Sequence, residues 1–355
     1  MHAYAVQDAT GLVKLDAMEN PHRLPLALQA ELGARLGAVA INRYPGAQID
    51  ALKHELAAHV GLPEGFALML GNGSDELISL LALACDLPGA TILSPVPGFV
   101  MYAMSAALQG MAFVGVDLTP EFTLDEPAML AAIRAHQPAI VYLAYPNNPT
   151  AGLWDDAAIE RIVVLQGEQG GIVVMDEAYQ PFAGKSYLGR MAGHSHVLLM
   201  RTLSKFGLAG VRLGYMMGPA ALIAEIDKVR PPYNVSVLNA ECARFALEYS
   251  EVFESQAQDI RAQRAIILEA LTVLAKAFPG LRHWPSDANM VLVRVPGEVG
   301  DAFAAAQKVF DGMKARGVLV KNVSKMHPLL ANCLRLTVGT ADENARMLAA
   351  LKDAL

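Results

Sequence analysis

Cysteine is scarce in this chain. Three in 355 residues, Cys85, Cys242 and Cys333, lie far apart and show no CxxC spacing. So sparse and odd a set suits a reducing cytoplasm rather than a disulfide framework. Positive charge is not in excess either: 28 Lys and Arg stand against 35 Asp and Glu, a formal net charge of −7. No global field therefore draws nucleic acid or acidic membranes, and any anion held here is held by local geometry. No uninterrupted apolar run reaches the ~18 residues that a membrane-crossing helix needs. The N-terminal MHAYAVQDATGLVKLD has no basic head followed by an apolar stretch, so no signal peptide is expected. The expectation is a cytoplasmic protein.

Repeats and low-complexity tracts are absent as well. What the sequence has is a hydrophobic content of 54% arranged in short runs. The stretches 90–99, 137–146, 171–179 and 196–204 read as strands, with helix-like segments at 76–85 and 155–170, the latter with Asp155 near its cap. Continuous Val/Ile/Leu runs separated by helical crossovers mark parallel strands covered on both faces. From about residue 235 the texture changes to long helices over 239–278. These are followed by strand-like 289–295, helix-like 302–317, and strand-like 318–323 and 333–340. The expected fold is α/β: a large domain over 30–245 with a mostly parallel central sheet between helices, plus a smaller α+β domain. That smaller unit joins an N-terminal arm, 1–29, to 246–355.

Ligands of open parallel sheets gather at the carboxyl ends of the strands. Polar clusters fall at such places: PNNPT (146–150), DEAY (176–179) and TLSK (202–205), with GNGSDE (71–76) ahead of a helix. Alone, each has an ordinary reading: a turn, a helix cap, a solvated lysine, a cap at Ser74. Together they meet one set of chemical demands. Gly73, Ser74 and Asp75 open a helix whose free N–H groups suit an anion, Asp75 through its backbone amide with its carboxylate pointing elsewhere. Thr202, Ser204 and Arg212 add hydroxyls and a planar cation for a phosphate. Lys205 is an amine able to condense with an aldehyde. Pyridoxal phosphate carries both groups. Its ring nitrogen needs a carboxylate, for which Asp176 is placed; Asn148 and Tyr179 suit the ring oxygen, and Phe99 one ring face. His194 and His196 form an HxH pair with no third ligand, so no metal is expected.

In this order the motifs resemble the fold-type-I pyridoxal-phosphate aminotransferases, and more closely their histidinol-phosphate branch. The match runs from ENP (19–21) through RYPG (43–46) and GLAGVRLGY to RLTVGT (335–340). The resemblance implies that Lys205 forms the Schiff base and shuttles the proton, and that the cofactor contacts are those given above. It implies a homodimer in which Tyr44 reaches the neighbouring subunit's cofactor phosphate. Arg335, Lys321 and Asn20 would bind substrate, with Tyr102 and the arm around 16–25 as candidates to read its ring. The implied reaction exchanges an amino group between histidinol phosphate and 2-oxoglutarate, giving imidazole acetol phosphate and glutamate. An aromatic-amino-acid aminotransferase and a threonine-phosphate decarboxylase of the same fold are the alternatives. Two positions depart from the pattern: Ala151 stands where NPTG has glycine, and Met18 where the arm has asparagine.

Overall fold

A computed structural model describes residues 7–298 and 300–355, so the first six residues of the expected arm lie outside the described residues. Seven strands form the large sheet: β1 (Phe66–Gly71), β2 (Thr91–Val96), β3 (Ala112–Asp117), β4 (Ile140–Ala144), β5 (Ile172–Asp176), β6 (Val197–Thr202) and β7 (Gly214–Pro219). Their order is β1-β7-β6-β5-β4-β2-β3, with β7 antiparallel to both neighbours and the other pairings parallel. Every residue of β4 and β6 is buried, as strands covered on both faces require.

The pleat decides what reaches the site. Val141, Leu143, Val173, Met175, Val197 and Leu199 pack into one core; Ile140, Tyr142, Val174, Leu198 and Met200 pack into another on the opposite face. Because side chains alternate, Asp176 continues the face of Val174, and Thr202 the face of Leu198 and Met200. Glu177 and Arg201 belong to the other face, where Arg201 Nη2 donates to Glu177 Oε2 at 2.8 Å.

The crossover helices begin where acidic caps stand. Asp125 accepts from Ala128 N at 3.0 Å and Asp155 from Ala158 N at 2.9 Å. The helix after β1 is Ser74–Ala84; its cap is Gly73, and no side chain caps it, so Ser74 is free of the capping role.

A second, antiparallel sheet orders Lys321–Asn322, Cys333–Thr337, Met290–Arg294 and Arg282–His283. The expected strand 318–323 is two short pieces. Val318–Leu319 pairs in parallel with Val13–Lys14 of the arm, while Lys321–Asn322 pairs with Cys333–Thr337. The break at Val320 lets the segment serve both partners. The helical region divides into Val237–Glu248 and Ser250–Ala277, so a boundary at 245 falls inside a helix. The first of these packs on the helix Ala47–Val60, with Arg244 Nη2 donating to Glu55 Oε1 at 2.7 Å.

Ala151 and Met18 both adopt left-handed backbone, with φ of 65° and 52°. Glycine and asparagine tolerate that region best, which accounts for the residue types usual at the two places.

Candidate active site

One cavity of about 130 Å³ lies at the carboxyl ends of β4, β5 and β6. Ser74, Asp75, Phe99, Asn148, Asp176, Tyr179, Thr202, Ser204, Lys205 and Arg212 all line it, joined by Met18 and Tyr102. Residues from six separate stretches of sequence, 18, 74–75, 99–102, 144–148, 176–179 and 202–212, therefore meet around one small volume, which the crossover topology brings about.

Lys205 lies three residues past the end of β6, in the single wide helical turn Ser204–Leu208. Its Nζ donates to Ala17 O of the arm at 3.2 Å. Burial, helped by the positive charge of Arg335, lowers its pKa to about 8. Asp176 is almost fully buried; burial raises its carboxyl to about 6 against the pull of its hydrogen bonds. Tyr102 donates to Oδ2 at 2.6 Å, and Ala178 N donates to Oδ1 at 3.0 Å. An acid and a base with displaced pKa values thus face a single cavity, the usual mark of a reactive site.

The anion cradle takes shape around Arg212. Its Nη1 donates to Ser204 Oγ at 3.3 Å, and Thr202 Oγ1 donates to the same oxygen at 3.1 Å. Gly73 has φ of 80°, and a Cβ there would sit 2.7 Å from Arg212 Nη2; a Cβ on Gly214 would sit 2.7 Å from the carbonyl carbon of Gly73. Both glycines are needed for backbone to approach backbone and guanidinium this closely. One expectation needs correcting. The carboxylate of Asp75 is not turned away but lines the cavity and accepts from Arg212 Nη2 at 3.0 Å. The close approach at Gly73 delivers the first helical turn to the guanidinium, where Asp75 balances the charge of Arg212. Both side chains are nearly half exposed, so this pair is easily exchanged for a phosphate contact.

Tyr102 is also placed differently from expectation. It is 1% exposed, stacked on Tyr142 with ring centroids 4.2 Å apart, and its hydroxyl is committed to Asp176. That geometry sets it behind the carboxylate rather than against a substrate ring. Its one sequence signal is its place three residues after Phe99, one helical turn on.

Five expected residues lie outside the cavity lining: Gly73, at the edge of the cradle just described, and four more. Arg335 Nη1 donates to Asn148 Oδ1 at 2.8 Å and Nη2 to Asp16 O at 2.7 Å, so it stands one contact behind the lining. Lys321 is directly opposite Arg335 in the antiparallel register, which sets both cations on one face of the small sheet. Asn20 Nδ2 donates to Gln256 Oε1 at 2.9 Å and also reaches Phe206 O. Tyr44 is 79% exposed and stacks on Tyr233 with centroids 4.6 Å apart.

A larger cavity, about 500 Å³, opens on the other face of the sheet and is lined by Glu177, Arg201 and Arg261 among others. Its buried charges satisfy each other, and it offers no reactive amine. Among the described residues no group of three His, Cys, Asp or Glu is placed to hold a metal, and no helix is long and apolar enough to cross a membrane.

The residues of the smaller cavity fit pyridoxal phosphate. The amine and the carboxylate stand in one volume, and a glycine-lined cradle of two hydroxyls and a guanidinium matches a phosphate.

Comparison with known proteins agrees with that fit. The sequence profile described as aminotransferase class I and II matches residues 10–351. The histidinol-phosphate aminotransferase of Polaromonas naphthalenivorans is 70% identical over 355 residues, all of this chain and 94% of that protein. The one from Methylibium petroleiphilum is 69% identical over all of this chain and 92% of that protein. Among solved structures, the histidinol-phosphate aminotransferase of Sinorhizobium meliloti, in complex with pyridoxal-5'-phosphate, superposes with a TM-score of 0.83. It is 24% identical, with 96% of this chain and 90% of that chain covered, a likeness of fold.

Proposed function

We infer the reaction from one premise: the chain belongs to the class I and II aminotransferase family. It is a pyridoxal-phosphate-dependent aminotransferase that exchanges the amino group between histidinol phosphate and 2-oxoglutarate, giving imidazole acetol phosphate and glutamate in histidine biosynthesis. The observation that carries the chemistry is Lys205 and Asp176 facing one cavity beside a phosphate cradle. The choice of donor is supported by the relatives at 70% and 69% identity, both histidinol-phosphate aminotransferases, rather than by either alternative of the same fold.

When bound, pyridoxal phosphate supplies an aldehyde and an electron-withdrawing ring. Lys205 Nζ, neutral in part because of its burial, is the group that takes up and returns the proton from the carbon bearing the substrate nitrogen. Asp176 would hold the proton on the ring nitrogen, while Asn148 and Tyr179 would serve the ring hydroxyl and Phe99 would cover one face. Gly73, Ser74 and Asp75, through backbone amides, would join Thr202, Ser204 and Arg212 in holding the phosphate.

Arg335 and Lys321 bind the substrate's anionic end. Guanidinium takes a carboxylate or a phosphate, so one site serves glutamate and histidinol phosphate in turn. Asn20 holds the arm beside Phe206, one residue after Lys205. Arg335→Ala is expected to lower kcat/KM for both half-reactions by roughly 10²-fold while the cofactor still binds. Unchanged turnover would remove Arg335 from the substrate site.

The working unit is a homodimer in which Tyr44 completes the neighbouring subunit's phosphate site. Support comes from an uncovered apolar face. The helix Leu26–Ala38 buries no residue, and Leu26, Ile41 and Tyr44 are 82%, 73% and 79% exposed. Mixing Lys205→Ala protein with Tyr44→Ala protein tests this, because each mixed dimer would hold one intact site. Activity should reappear on mixing; its failure to do so in dimers shown to have exchanged subunits would place Tyr44 elsewhere.

A further inference from the structure

We propose that Tyr102 is a positioning residue for this reaction, fixing through its hydroxyl the direction and charge of the carboxylate that serves the cofactor's ring nitrogen. The inference rests on the cofactor reading above and adds a residue to it.

The geometry is specific. Asp176 Oδ2 accepts from Tyr102 at 2.6 Å and Oδ1 from Ala178 N at 3.0 Å. With a donor on each oxygen the carboxylate plane cannot rotate, and its remaining acceptor positions are left to the cavity it lines. Tyr102 is itself immobile: flat against Tyr142, with 7° between the rings, and edge-on to Phe99 at 5.6 Å. One side chain thus braces both the group that holds the ring nitrogen and the ring that covers the cofactor. Burial and the neighbouring carboxylate keep the phenol protonated, so it remains a donor.

The charge effect follows from the surroundings. Asp75 and Glu177 act on Asp176 as like charges and, with burial, oppose its ionisation; Tyr102 and Ala178 N favour it. Lys205 and Arg212 are the cations of the same cavity, and the phenols of Tyr142 and Tyr179 face Tyr102. Removing the Tyr102 hydroxyl takes away the larger of the two stabilising hydrogen bonds.

Tyr102→Phe preserves both ring contacts and deletes only the donor. The test measures the dissociation constant of pyridoxal phosphate by fluorescence quenching from pH 5 to 9, on wild type, Tyr102→Phe, Asp176→Asn and the double variant. Thermal melting confirms that each is folded. Wild-type affinity should fall on acidification through about pH 6, where Asp176 gains its proton. In Tyr102→Phe that midpoint should move up by about one pH unit. Affinity at pH 7 should drop roughly tenfold. In the Asp176→Asn background the tyrosine substitution should change affinity by less than about twofold.

A midpoint in Tyr102→Phe equal to wild type would overturn the proposal. So would a loss of affinity that persists undiminished without the carboxylate, since that would make Tyr102 a packing residue. Failure of the cofactor reading looks different: wild type would not bind the cofactor, or Asp176→Asn would bind it as well as wild type.

Discussion

Replacing Lys205 with alanine is expected to lower amino-group transfer roughly 10⁴-fold while the protein stays folded and still binds the cofactor non-covalently. The reasoning begins with burial. Lys205 sits among Thr202, Ser204, Tyr179 and the arm, with its Nζ bonded to Ala17 O at 3.2 Å. With its pKa lowered to about 8, roughly a tenth of the amine is neutral at pH 7, against less than about one in a thousand for an ordinary lysine. Only the neutral amine attacks an aldehyde. Capture of pyridoxal phosphate by stripped protein should therefore quicken about tenfold per pH unit up to about pH 8 and then level off. Borohydride treatment and peptide mapping should fix the cofactor on the peptide containing residue 205 in wild type and nowhere in the variant. Label on another lysine of the wild type would assign the amine elsewhere.

Asp176→Asn should separate function from stability. Without a carboxylate the ring nitrogen loses its partner, and kcat should fall roughly 10²- to 10³-fold. The cofactor-free protein should gain stability. Burial raises the folded carboxyl to about 6, above its ordinary value, so its contribution is favourable at low pH and is lost as pH rises through about 6. At pH 8 the buried charge costs the cofactor-free wild type on the order of 2–3 kcal/mol, and the neutral amide removes that cost. Melting of the stripped proteins should show the variant more stable at pH 8, with the gap closing toward pH 4. Added cofactor should reverse the order at pH 8, because the ring nitrogen's charge stabilises wild type alone. A variant that melts lower than stripped wild type at pH 8 would contradict the account of Asp176.

Much of the site was legible because strands fix their residues by parity and topology fixes which strand ends meet. Asp176 and Thr202 follow from the alternation in β5 and β6, and the cavity at the carboxyl ends follows from parallel pairing. The loop that meets Arg212 was legible as glycines before a helix. What escaped depends on distances that no local pattern encodes. The turn of the Asp75 carboxylate onto Arg212 joins residues far apart in the chain at 3.0 Å. On sequence alone Tyr102 is a candidate to read the substrate's ring; only three-dimensional packing shows its hydroxyl facing Asp176 and its ring facing Tyr142. Helical texture continued across Tyr249, so the change of packing partner there gave no sign in the sequence. The two departures at Ala151 and Met18 were visible as letters, while their shared left-handed backbone was not.

The most direct test of the whole account is a single half-reaction. Purified holoenzyme would be titrated with histidinol phosphate in the absence of any keto acid, with phenylalanine and threonine phosphate as parallel donors and visible absorption as the readout. The account predicts that histidinol phosphate converts the bound cofactor fully to its amino form at the lowest donor concentration, without release of carbon dioxide. Readier conversion by phenylalanine, or carbon dioxide released from threonine phosphate, would contradict it.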